Sequence, residues 1–187
     1  MHMKRYLILA IALIVLSGTA FAQDDYPKAE VFAGYAYLRT AGNTNVNGWN
    51  GQAVFNMNHW FGVAADIAGH YQTKSDDDLR PSASIHSFMF GPHLADRAGR
   101  ITGFAHALFG IAHAKEGFNL GRGGLASSSN NLAIAFGGGV DANINDVFAV
   151  RLFQADYLNL RVEDPLTGDK KGRNNFRLSI GLVFKIQ

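Results

Sequence analysis

The chain has 187 residues, with 17 Lys+Arg against 15 Asp+Glu, 21 Gly, 14 Phe, only 4 Pro and no Cys. Lacking cysteine, it has no disulfide scaffold, thiolate nucleophile or Cys-built metal site, and a mean hydropathy of −0.01 excludes a bundle of membrane helices. Both excess cations, Lys4 and Arg5, stand at the N-terminus, which leaves 15 cations against 15 anions and no basic surface for nucleic acid.

The first element is a targeting signal. Lys4 and Arg5 precede the apolar run Leu7–Leu16, and Ser17, Gly18 and Thr19 lead into the small-residue site Ala20-Phe21-Ala22. That order predicts a cleavable secretory signal over residues 1–22 and one mature domain over 23–187.

From there on, period-two alternation replaces any helical period, which is the strand signal. In the first strand Val31, Ala33, Tyr35 and Tyr37 alternate with Glu30, Gly34 and Ala36. In the second, Trp49, Ala53 and Phe55 alternate with Asn50, Gln52 and Asn56. The third sets Phe61, Val63, Ala65 and Ile67 against Gly62, Ala64, Asp66 and Ala68. The fourth sets Phe88, Phe90 and Pro92 against Met89, Gly91 and His93. The fifth, Ile101–Ala114, is apolar on both faces, so its orientation stays open. The sixth sets Leu132, Ile134, Phe136 and Val140 against Ala133, Ala135, Gly137, Gly139 and Asp141. In the seventh, Val147–Leu160, Arg151 falls on the face opposite Gln154 and Asp156; a bulge near Leu152–Phe153 would bring all three together. The last strand is the clearest, with Phe176, Leu178, Ile180, Leu182, Phe184 and Ile186 opposite Arg177, Ser179, Gly181, Val183 and Lys185.

The connections alternate in length. Asn58-His59, Asp96–Gly99 and Asn145-Asp146 are short, whereas Thr40–Val46, Thr73–Ala83, Lys115–Asn130 and Val162–Arg173 are long and polar. Alternation of this kind predicts an all-β fold, an eight-stranded antiparallel up-and-down transmembrane β-barrel with one rim of turns and one of loops. The faces follow. A soluble barrel buries its apolar side, but here the opposite side is built from Gly and Ala, which have no purpose against water and leave room inside a narrow barrel. Apolar side chains are therefore expected to meet lipid. Tyr35, Tyr37, Tyr71 and Tyr157 would form the outer aromatic belt, and Phe55, Trp60, Phe148 and Phe184 the inner one.

A signal followed by the opening strand Val31-Phe32-Ala33-Gly34-Tyr35-Ala36-Tyr37 and the closing strand Phe176–Ile186 resembles the small outer-membrane barrels of the OmpA/OmpX-like superfamily, across essentially all of the mature chain. The resemblance implies a Gram-negative-type outer membrane, contact with its lipid and lipopolysaccharide, and insertion by the barrel-assembly machinery, which reads the last strand. Where the family often ends in an aromatic residue this chain has Gln187, so Phe184 would serve in that signal. The peptidoglycan-binding domain of the larger members has no counterpart, so no tether to the cell wall is expected.

With these faces, Glu30, Asp66, Asp141, Arg151, Asp156, Arg177 and Lys185 point into the lumen, where isolated charges are costly and pairing is expected. A polar plug beneath exposed external loops implies a structural or surface-interaction role with an unidentified external ligand. The alternatives are a small passive channel gated by those charges, a lipid-modifying enzyme, and a soluble lipocalin-like carrier. His70, His86 and His113 could approach one rim, but no metal-ligand spacing is present, and neither a metal nor a cofactor is expected. Ser75, Ser82, Ser84 and Ser127–Ser129 read as loop serines without a catalytic partner, so no catalytic residue is assigned. Asp76-Asp77-Asp78 lacks the spacing of a calcium loop. Gly121–Gly124 opens no helix, and Gly137–Gly139 lies in a strand, so neither is a phosphate cradle.

Overall fold

A computed structural model describes residues 26–41, 44–73, 80–119, 124–163 and 170–187. The signal segment, Ser75, Asp76–Asp78 and Gly121–Gly123 lie outside them. Eight strands run β1 Ala29–Arg39, β2 Asn45–Asn56, β3 Phe61–Thr73, β4 Arg80–Ala98, β5 Ile101–Asn119, β6 Gly124–Asn143, β7 Phe148–Glu163 and β8 Lys170–Ile186. Each pairs antiparallel with its neighbour in sequence, and β8 closes on β1 from Ala29↔Ile186 to Arg39↔Phe176, giving a closed barrel. Closure gives every strand two partners through the wall, so no backbone edge meets lipid.

Alternation turns into two surfaces. Outside stand Val31, Tyr35, Trp49, Phe55, Ile67, Phe88, Phe109, Phe136, Leu178 and Leu182, each at least two-fifths exposed. A continuous apolar exterior of this kind belongs against hydrocarbon, since water would not tolerate it. Strand five is decided by its register with β4 and β6: Thr102, Phe104, His106, Leu108 and Ala112 are buried, while Ile101, Phe109 and Ile111 face out. On β7 the ladder skips between Arg151 and Gln154, and Leu152 and Phe153 both turn outward. This bulge puts Arg151, Gln154 and Asp156 on the same inner face.

Two sequence expectations need correction. The long connections are shorter than the polar stretches suggested, because residues 80–83, 115–119, 124–130, 162–163 and 170–173 continue the ladders. Beyond the membrane neither face has to be apolar, so the period-two hydrophobic signal ends before the hydrogen bonding does. Ser82, Ser84 and Ser127–Ser129 are accordingly strand residues. The interior is also more apolar than small-and-polar: Leu38, Val46, Val54, Met89, Leu108, Leu158 and Leu160 pack together inside, and Phe32, Ala149 and Val183 form a second cluster.

Candidate functional site

The barrel interior is built from facing positions on all eight strands. At its centre Arg177 of β8 donates from Nη1 and Nη2 to Asp66 Oδ1 and Oδ2 of β3, at 2.9 and 3.1 Å. Its Nε donates to Asp156 Oδ2 of β7 at 2.8 Å, and Nη2 lies 2.7 Å from the same oxygen. Asp156 also accepts from His106 Nε2 and Gln154 Nε2, each at 2.8 Å, and Asp66 accepts from Asn50 Nδ2 at 2.9 Å. One buried cation thus holds two carboxylates that also accept from His106, Gln154 and Asn50, the geometry that offsets desolvation.

A second centre lies nearer the turn rim. Arg151 donates from Nε and Nη2 to Asp141 Oδ1 and Oδ2 at 2.8 and 3.0 Å, and from Nη1 to Gln154 Oε1 at 2.6 Å and Gln52 Oε1 at 3.1 Å. Its guanidinium carbon lies 4.3 and 4.1 Å from the ring centroids of Phe32 and Phe104. A planar cation suits that place because its faces are weakly hydrated and its edge carries the donors. Gln52 Nε2 faces His106 Nδ1 at 3.5 Å, so Gln52 and Gln154 join the two centres.

Glu30 and Lys185 sit apart, at the turn rim. Glu30 Oε1 accepts from Arg97 Nη2 at 2.5 Å and from Asn56 Nδ2 at 2.8 Å, and Arg97 also bonds the His59 carbonyl. Lys185 is only half-buried and donates to Asn143 Oδ1 at 3.1 Å. A cavity of about 620 Å³ opens here, with Glu30, Arg97, Arg100, Asp141, Asn143 and Lys185 in its lining.

Sequence reasoning missed His106, Gln52, Gln154 and Asn50 as partners, although Gln52, Gln154 and Asn50 sit on the polar side of their strands; His106 lies on β5, whose two faces are alike in the sequence. It missed Arg97 because its segment read as a turn. His70, His86 and His113 do not share a rim site. His70 is buried, whereas His86 and His113 face each other across β4 and β5 on the outer wall. Tyr71 accepts from Trp49 Nε1 at 3.5 Å and bonds His86 Nε2 at 3.0 Å, and His113 Nδ1 donates to Asn130 Oδ1 at 2.7 Å. Among the described residues no group of three His, Asp or Glu is placed to hold a metal ion.

Residues 8–184 match the family model described as the outer membrane protein beta-barrel domain. The chain belongs to that family. Membership places it in the outer membrane, and the exposed apolar wall is its lipid-facing surface. Solved structures share the fold. Ail of Yersinia pestis, the attachment invasion locus protein, solved in complex with the heparin analogue sucrose octasulfate, is 18% identical with a TM-score of 0.63, over 86% of this chain and 99% of that one. Neisserial surface protein A is 13% identical with a TM-score of 0.58, over 84% and 96%. OprG of Pseudomonas aeruginosa is 11% identical with a TM-score of 0.51, over 88% and 98%. No curated protein matches the chain in a sequence search.

Proposed function

We propose that the protein is a non-enzymatic surface anchor, exported by a signal over residues 1–22, inserted by the barrel-assembly machinery and bounded by outer-membrane lipid and lipopolysaccharide. Residues 23–187 hold its external hairpins in place over a lumen that conducts nothing. The observation that carries the reading is the buried Arg151–Gln52–Gln154–His106–Asp156–Arg177–Asp66 network, with the apolar cluster around Leu108 and Leu158 packed beside it. Eight strands enclose only enough space for side chains, and these side chains use it. Ail holds a sulfated ligand in its solved complex, which supports a binding role for a barrel of this shape.

Planar-bilayer recording tests the plug. Wild-type protein is expected to give no discrete conductance steps, and Arg151→Ala, which removes the side chain between Phe32 and Phe104, is expected to give small ones. Steady conductance by the wild type would replace the anchor reading with that of a passive channel.

A further inference from the structure

The cavity at the turn rim is lined by Arg97, Arg100 and Lys185 and by Glu30, Asp141 and Asp146, and much of that charge is already matched. Arg97 is paired with Glu30, and Arg151 holds Asp141 through both carboxylate oxygens. Among the described residues neither Arg100 nor Lys185 has a carboxylate within ion-pair distance. The third carboxylate, Asp146, stands exposed in the turn between β6 and β7. The lining therefore carries one cation in excess and two that are free to take a ligand.

Local structure sets these two cations around one side chain. Gly99, at φ 58°, takes the left-handed conformation that lets β4 return as β5 after two residues, and Arg100 is the second of them. The backbone N–H of Asn143 donates to the Arg100 carbonyl at 2.8 Å. Asn143 Nδ2 donates to the Gly99 carbonyl at 3.0 Å and to Thr102 Oγ1 at 3.1 Å, which fixes the amide. Its Oδ1 is left to accept from Lys185 Nζ at 3.1 Å. An ammonium carries three donors, so Lys185 keeps two for a ligand, and the fork of Arg100 is wholly unused among the described residues.

Chemistry narrows the ligand. Two unpaired cations flanking a neutral amide match more negative charge than one carboxylate carries. A phosphate monoester brings about −1.5 to −2 near neutral pH, with three oxygens that accept from the Arg fork and the Lys together. About 620 Å³ is more than a phosphate fills and lies in the range of small-molecule pockets. Polar groups such as Thr102 and Asn145 suit the hydroxyls of an attached alcohol. The inner end is shut: Ala149 and Val183 line the cavity and pack with Phe32, whose ring lies against Arg151. A ligand enters and leaves by the rim of short turns, the periplasmic side of an outer-membrane barrel.

We propose that the turn-rim cavity is a binding site for a phosphate monoester on the periplasmic side, with Arg100 and Lys185 holding the phosphate across Asn143. This goes beyond the surface-anchor reading and does not depend on it.

The test uses the mature protein folded in an alkyl-maltoside detergent, which carries no phosphate, with glycerol 3-phosphate as the probe. The side-chain amide resonances of Asn143 are expected to shift saturably with a Kd below about 1 mM. Glycerol is expected to shift nothing. Arg100→Gln and Lys185→Gln are each expected to raise that Kd by roughly tenfold or more. Arg100 is exposed and Lys185 half-buried, so both variants are expected to keep the heat-modifiable band. Lys28→Gln removes a cation that stands over the Tyr26 ring, outside the lining, and is expected to leave the Kd unchanged. In nanodiscs, shifts that need added glycerol 3-phosphate identify a soluble ester, and the same shifts produced by phosphatidic acid alone identify a lipid head group; either bears out the site. An unsaturable response, binding that survives either substitution in the lining, or an equal loss in Lys28→Gln would overturn it, since each points to general charge attraction.

Discussion

Arg177→Met is expected to lower barrel stability by about 3–5 kcal/mol, the cost of breaking a buried ion pair from one side. Urea titration of protein folded into lipid vesicles measures it. Arg177 is fully buried and makes four close contacts to Asp66 and Asp156. Methionine fills much of its volume, so the loss comes from two stranded carboxylates rather than from a void. Asp156 keeps His106 and Gln154, while Asp66 keeps only Asn50 among the bonds described here, so Asp66 bears more of the penalty. Adding Asp66→Leu to Arg177→Met is therefore expected to recover part of the stability, because apolar replacement of a whole buried pair is often close to neutral. Arg97→Met at the turn rim is expected to cost clearly less, since the Glu30 left behind keeps its bond from Asn56 and lines the cavity that opens at the rim, where water can reach it. Equal losses at Arg177 and Arg97 would mean that the central network contributes no more than a rim pair.

Gly137→Val is expected to prevent folding to a compact barrel, read as loss of the heat-modifiable band on unboiled gels. Gly137 lies beside Asp156 in the β6–β7 ladder. A Cβ there would stand 2.0 Å from Asp156 Oδ1 and 2.5 Å from the Ala155 carbonyl oxygen, far inside contact distance. The carboxylate cannot retreat without leaving Arg177 and His106, so the glycine provides the room in which the network closes. Gly103→Val is the control: a Cβ at Gly103 meets nothing within 4 Å, and a β-branched residue suits a strand. This variant is expected to keep the band shift. Retention of the shift in both variants would show that the wall between β6 and β7 gives way easily.

How much of this was legible beforehand depends on which force wrote the signal. The outward set on β8, from Phe176 to Ile186, is legible because hydrocarbon demands an apolar residue at every second position. The β7 bulge was legible for a related reason: Arg151 and Asp156 both had to avoid lipid, and only an extra residue at Leu152–Phe153 permits that. On β5 the rule falls silent, since Phe104 and Leu108 are as apolar as Phe109 and Ile111. Phe104 faces inward because the register with β4 and β6 puts it beneath the Arg151 guanidinium. The ends of the external hairpins escaped for want of any hydrophobic requirement on strands standing in water.

By itself, then, the sequence determined the number of strands, the inward and outward faces of all but the fifth, that they cross a membrane, and most of the charges that need partners, because each follows from local periodicity and the cost of polar groups in lipid. Tertiary structure alone decided which charges meet. Arg177 reaches Asp66 across 111 positions of sequence, Glu30 reaches Arg97 rather than Lys185, and the ladder between β6 and β7 stops short at Leu132. Such pairings depend on the stagger with which eight strands close, a property of the whole circumference that no single strand records.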